Sequence, residues 1–223
     1  MLPLTERTPK VLLPVRGRPF LAHLFDRLLA SKASSVVLLV GHQSTAVADA
    51  LATAPLAPYR ELLPIVLSHD QPGWRGTASA LVSALPHLEK TFVVTYGDSY
   101  LPIDYASPAH KLRAHSGLAD GCMTVFENRD ELEPSNAAVH GDWVVRYNKR
   151  PAPSDKLRYV DYGAIALERE VITMLPRRAH LGLEVVQQDL AARSRLLALA
   201  VPEPFHEIGS PAGLARLERA LDR

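Results

Sequence analysis

Cysteine is nearly missing from this sequence: its 223 residues contain one, Cys122. A lone thiol can form neither an intramolecular disulfide nor a cysteine-based zinc cluster, which suits a reducing, cytoplasmic setting and a core position for Cys122. A charge imbalance is missing too. The 25 Lys and Arg face 24 Asp and Glu, so the chain has neither a basic footprint for nucleic acid nor an acidic tail. No charged start followed by an apolar stretch marks a secretory leader, and the longest apolar run, around residues 36–40, is too short to cross a bilayer. No repeat, low-complexity tract or composition shift marks a linker, so one domain over 1–223 is expected. The expected partners are therefore small soluble molecules, with no nucleic acid and no membrane; a homo-oligomer is compatible with this composition.

What is present alternates. SSVVLLVG (34–41), PIVLSHD (64–70) and KTFVVTYGD (90–98) are continuous apolar runs ending in Gly or Asp, the pattern of strands buried on both faces. Between them, PFLAHLFDRLLASK (19–32) and TASALVSALPHL (77–88) have helical spacing, with Pro19 in the first turn of one and Thr77 as the cap of the other. This order predicts an α/β fold, a Rossmann-like and mostly parallel sheet flanked by helices. From Cys122 onward, CMTVFEN, DWVVRYNKRP and LRYVDYGAIAL follow one another without a long helix, a β extension or small lobe. Helical spacing returns at 181–195 and 211–222, separated by the strand LLALAVP.

Ligands of open parallel sheets bind beyond the carboxyl ends of the strands, which raises the value of Gly41-His42-Gln43, His69-Asp70 and Tyr96-Gly97-Asp98-Ser99. Asp98 should emerge at the top of a central strand, as a magnesium ligand or as an ordinary cap. Glu207, ahead of a Gly-Ser-Pro turn, could be a second metal carboxylate or a solvated charge. Gly76-Thr77 opens a helix whose free backbone N–H groups favour acceptor groups, or it is simply a turn and cap. Lys10 and Lys149 each sit beside proline, as phosphate-binding cations or as solvated lysines. His42, His69 and His206 could line a cleft, but no histidine pair has metal-ligand spacing, and Ser99 lies in no nucleophile elbow.

These stretches resemble the sugar-phosphate nucleotidyltransferases. PLTERTPKVLLPVRGRPFLAHLFDRL is similar to their N-terminal signature, and RGTASAL, TYGDSYL, NKRP, VDYGAIAL and HEIGSPAGL follow in the family's order. The likeness covers essentially the whole chain and is closest to the branch with the heptose-1-phosphate guanylyltransferases, enzymes of bacterial cell-surface polysaccharide. It implies a glycosyltransferase-A-like fold, Mg2+ as cofactor, and an NTP and a sugar 1-phosphate as substrates. Carried over by position, Lys10 would contact the phosphates, Gly76 and Thr77 would border the nucleobase, and Asp98 and Glu207 would hold magnesium. Lys149 would meet the phosphate of the sugar phosphate, and Asp161, Gly163 and Ser135-Asn136 would lie along the sugar. The family more often has Asp where Glu207 stands.

One departure stands out: the family's first strand and its glycine-rich triphosphate loop do not precede MLPLTERTPK, which resembles the end of that loop with Lys10 as its cation. The expectation is that the 223 residues alone bind nucleotide poorly, and the coding DNA upstream of Met1 should be read for an in-frame strand and loop. Two other readings remain open: a non-catalytic homologue that binds a sugar phosphate or nucleotide, and a phosphocholine-type cytidylyltransferase.

Overall fold

The computed structural model describes residues 8–41, 43–128, 134–152, 155–177 and 180–222. His42 and residues 1–7 of the opening signature lie outside the described residues. A short 3-10 helix, Lys10–Leu12, precedes the hairpin strands β1 (Pro14–Val15) and β2 (Arg18–Pro19), then α1 (Phe20–Ala30), β3 (Val36–Val40), α2 (Ser44–Leu51), α3 (Tyr59–Leu62) and β4 (Ile65–His69). There follow α4 (Thr77–Ala84), β5 (Thr91–Thr95), β6 (Ser99–Tyr100), α5 (Ser107–Ala114), β7 (Gly121–Glu127), β8 (Ala137–His140), β9 (Trp143–Tyr147) and β10 (Tyr159–Glu168). The chain closes with α6 (Arg169–Thr173), α7 (Leu183–Ala192), β11 (Leu196–Val201), β12 (His206–Glu207) and α8 (Pro211–Ala220).

The described residues gather into two compact units, each discontinuous in sequence. The first comprises residues up to 69 together with 96–105 and those from 205 onward. Its opening hairpin turns on Arg16 and Gly17, both at positive φ (50° and 76°), the backbone that matches strand twist in a two-residue turn. Pro19 is the N-cap of α1 rather than its first helical residue. Phe20, Leu21, Leu24 and Phe25 then form a buried face of α1. They share one core with Val40, Val47, Leu51, Tyr59, Ile208 and Leu217, so the C-terminal segment is built into the same core as the N-terminal one. The strands β3 and β4 pair in parallel, from Val36↔Ile65 to Val40↔His69.

The second unit holds a six-stranded sheet in the order β5-β10-β7-β11-β9-β8. Among the named strands of the described residues, parallel pairing joins β7 to β11 here and β3 to β4 in the first unit; β10 runs antiparallel to both β5 and β7. The α/β architecture expected from sequence holds, but its pairing is mixed. Strands joined by short loops, such as β8 and β9 across Gly141-Asp142, return antiparallel, whereas a parallel neighbour requires a long crossover. The stretches read after Cys122 as a β extension or small lobe form β7, β9 and β10, which build this sheet together with β5, β8 and β11. Cys122 is fully buried between strands, as expected. The strands read as enclosed on both faces, β3 and β5 in particular, are half-buried. Each has one strand neighbour among the described residues, and β5 is the edge of its sheet rather than a central strand.

Candidate active site

Lys10, Asp98 and Glu207, with Gly41, Gln43, His69, Tyr96, Gly97, Ser99 and His206, fall in the first unit. Asp98 sits in the turn just before β6, and β6 pairs antiparallel with β12 through Ser99↔Glu207 and Tyr100↔His206. The Ile208 amide donates to the Asp98 carbonyl at 3.0 Å, extending the pairing by one step. Two carboxylates distant in sequence are therefore brought to neighbouring positions by backbone hydrogen bonds. Glu207 is further fixed from behind: Ser210 caps α8 by accepting from the Gly213 amide at 3.0 Å. Gly213 packs so closely that a β-carbon there would overlap the Glu207 carbonyl oxygen. Lys10, in the 3-10 turn, donates to Asp98 Oδ2 at 3.2 Å, with 45% and 41% of the two side chains exposed. His206 lies across from Tyr100, their rings 6.4 Å apart.

Gly76, Thr77, Ser135, Asn136, Lys149, Asp161 and Gly163 fall in the second unit. Gly76 is the N-cap of α4 and Thr77 its first residue, a one-place shift from the expected cap. The free amides of that helix start are already engaged, because the Leu181 carbonyl accepts from both Ala78 (3.0 Å) and Ser79 (3.1 Å). Thr77 Oγ1 accepts from the Leu183 amide at 2.8 Å, and Ser79 Oγ from the Leu181 amide at 2.9 Å. The reason for glycine at 76 is likewise internal. Its φ is +106°, and a β-carbon would stand 2.5 Å from the Leu181 oxygen. The space on its Cβ side is filled by the chain's own backbone.

Asp161 is the hub of the second cluster. A bulge in β10 between Asp161 and Ile165, with Gly163 at φ +100°, breaks the ladder to β7 and re-aims the Asp161 side chain. Its backbone amide donates to Asn136 Oδ1 at 2.8 Å, and its Oδ1 accepts from the Gly163 amide at 3.0 Å. Its Oδ2 accepts from Gln187 Nε2 at 2.7 Å and from the Tyr147 hydroxyl at 3.4 Å. Burial pushes the Asp161 carboxyl above the usual carboxylate range, against the opposing pull of Gln187, Gly163, Tyr147 and the Lys149 charge. Ser135 is buried and accepts from Asn128 Nδ2 at 3.1 Å. Lys149 stands in the turn after β9 with its Nζ 3.6 Å from Glu184 Oε2. Among the described residues, no group of three or more His, Cys, Asp and Glu is placed to hold a metal ion.

Comparison with known proteins gives this arrangement its family. Residues 5–141 match the MobA-like NTP transferase domain. The chain belongs to that family. Over 228 aligned residues it is 31% identical to the bifunctional protein GlmU of Sinorhizobium medicae, covering 94% of this chain and 47% of that relative. It is 33% identical over 142 residues to the UTP–glucose-1-phosphate uridylyltransferase AglF of Haloferax volcanii, covering 63% of this chain and 55% of the relative. The chain therefore spans about half the length of these curated relatives. A putative glucose-1-phosphate thymidylyltransferase from Bacillus anthracis, solved with sucrose, superposes with a TM-score of 0.80 at 18% identity, covering 100% of this chain and 90% of that one. The α/β fold is thus the glycosyltransferase-A-like fold of the nucleotidyltransferases, with sheets flanked by helices.

Several residues that shape this NTP transferase domain are not evident from motif reading. Leu181 and Gln187 come from the LGLEVVQQD stretch, which reads only as an amphipathic helix and its lead-in. Asp155 fixes the turn that carries Lys149. It accepts from Asn148 Nδ2 (3.2 Å) and the Ala152 amide (2.9 Å), and pairs with Arg146 at 2.6 Å. A carboxylate close after a Pro-rich turn is a usable sign of such an anchor. Gln187, 1% exposed and far from Asp161 in sequence, carries no such sign.

Proposed function

We propose that this NTP transferase domain is a sugar-1-phosphate nucleotidyltransferase, transferring a nucleoside monophosphate from an NTP to a sugar 1-phosphate. The observation that supports the reading is the β6/β12 pairing, which puts Ser99 opposite Glu207 and Asp98 opposite Ile208, so that the two acidic residues are one step apart across the pair, with Lys10 bonded to Asp98. Support comes also from the relatives, whose names include a glucose-1-phosphate uridylyltransferase. In this reading an ionised oxygen of the sugar phosphate attacks the α-phosphorus, the bond from that phosphorus to the bridging oxygen breaks, and pyrophosphate leaves. No covalent enzyme intermediate and no general base are required, because the nucleophile is already deprotonated. The chain's task is positioning and charge stabilisation.

Lys10 and Lys149 would each exchange a carboxylate partner for a phosphate. Asp161, Asn136 and Gly163 would face the sugar, and Gly76-Thr77 the nucleobase. Two carboxylates would offer an all-oxygen donor set of the kind that suits a hard divalent cation completed by water and phosphate oxygens. Asp98 and Glu207 would hold magnesium, which when bound would neutralise charge developing on the phosphates. We further take residues 1–223 as one nucleotidyltransferase domain acting in the cytoplasm, its product feeding cell-surface polysaccharide. No described helix is long and apolar enough to cross a membrane.

The test uses the protein with whatever residues its gene encodes ahead of Met1. It is incubated with magnesium, each of the common NTPs, and a panel of hexose and heptose 1-phosphates, and the products are identified by mass spectrometry. A nucleotide sugar from at least one pair is the expected result. Ligand binding without product from any pair would instead favour the non-catalytic homologue.

A further inference from the structure

Gln187 is a polar side chain with almost no contact with water: it is 1% exposed. A buried amide must find partners, and its Nε2 has two, Asp161 Oδ2 at 2.7 Å and the Met123 sulfur at 3.2 Å. Both N–H bonds are thereby spent, so the amide cannot turn away from Asp161 without leaving a buried donor unsatisfied. On the other side, the Asp161 backbone amide is tied to Asn136 Oδ1, and Asn136 is itself locked between strands: its amide donates to the Tyr159 carbonyl and its carbonyl accepts from Asn148, both at 2.8 Å. Oδ1 is braced by the Gly163 amide within the bulge. Asp161 is thus held by donors from α7, β9 and its own strand, and by an acceptor on Asn136, the residue just before β8. A carboxylate that needed only to be satisfied could have been replaced by an apolar residue, and burying it has a cost in stability.

We propose that Gln187 is a positioning residue for the sugar phosphate: its amide fixes the Asp161 carboxyl group as the acceptor for a sugar hydroxyl. This rests on the nucleotidyltransferase reading above. Gln187 touches no substrate and acts through Asp161. The other titratable groups facing Asp161 are Tyr147 and Lys149, the latter paired with Glu184. Gln187 is the largest of the favourable influences that keep the carboxyl from rising further. Removing its amide raises the protonation midpoint of Asp161, so the carboxylate acceptor is lost at a higher pH than before.

The discriminating variant is Gln187→Met, close in volume and without a donor. With the panel sugar 1-phosphate that the wild type turns over fastest, its KM is expected to rise about tenfold or more at neutral pH, the scale of a lost charge-assisted bond, while kcat and the NTP KM hold. The acidic limb of the sugar-phosphate KM should move to higher pH. In an Asp161→Asn background the same substitution should change the KM little, an outcome that a purely structural loss would not give. A carbon-NMR titration of the Asp161 carboxyl, assigned with Asp161→Asn, needs no sugar and should show a raised midpoint in Gln187→Met. An unchanged midpoint, or an unchanged KM and pH limb in a wild type that does turn over, overturns the positioning role and leaves the nucleotidyltransferase reading standing. Absence of turnover by the wild type with every pair overturns that reading and this inference together. Should Gln187→Met fail to fold, Gln187→Glu carries both measurements with the same expected directions, because a second carboxyl beside Asp161 also disfavours its ionised form.

Discussion

Lys10 and Asp98 touch at 3.2 Å with nearly half of each side chain exposed, and that exposure decides what the contact can contribute. An ion pair so open to water adds about 0–1 kcal/mol to stability. Lys10→Ala should therefore leave the thermal midpoint within a few degrees of wild type while lowering turnover by tenfold or more; a large loss of stability at full activity would mark the pair as structural. Asp161 carries the opposite balance. Its carboxyl is raised in the folded state, so the stability linked to it is full below the unfolded value near 4 and is lost as pH rises through the folded value. The stability of Asp161→Asn relative to wild type should then improve as pH rises from about 3 to 7, read by thermal unfolding at the two pH values, while sugar-phosphate binding weakens. Residue identity in the motifs was legible from sequence; the burial of Asp161 was not, because it depends on an amide from α7 and a bulge in β10.

Between elements, two glycines decide geometry. Gly76→Ala adds a β-carbon 2.5 Å from the Leu181 oxygen at a φ that L-residues disfavour, which should cost about 2–4 kcal/mol. Gly213→Ala would push the start of α8 off the Glu207 carbonyl, costing about 1–3 kcal/mol and disturbing metal-dependent turnover more than nucleotide binding. Thermal unfolding and magnesium titration of the rate check both; wild-type behaviour of either variant would contradict the packing described. The strongly periodic segments, α1, α4 and α8, and the apolar strands β3, β4, β5 and β11 were readable from sequence within a few residues. The helices α2 and α5 were not. SPAHKLRA has little apolar periodicity, and STAVADAL follows a strand with only a left-handed Gln43 as its cap, so tertiary packing rather than local signal decides them. Strand direction was also hidden, since an apolar run reads the same in parallel and antiparallel sheets.

For the molecule as a whole, chemistry and stability are reported by different groups. Cys122 is fully buried and its thiol is pushed up to about 12 by that burial, so it should resist a thiol reagent at pH 8 in the native state and react only on unfolding. Rapid labelling of the folded protein would contradict its place between β7 and its neighbours. The order of motifs disclosed the family before any contact was known, while the approach of the Asp98 and Glu207 backbones required the β6/β12 register, with Ser99 opposite Glu207 and Asp98 opposite Ile208, which no spacing in the sequence encodes. That pairing is the centre of the functional account. Its most direct test is pyrophosphate release under saturating magnesium, NTP and sugar 1-phosphate, measured side by side for wild type and Asp98→Ala at matched thermal stability. The account predicts release by the wild type and a loss of at least about a hundredfold in the variant, the scale of removing one preorganised charge-stabilising group; equal rates in the two proteins would contradict it.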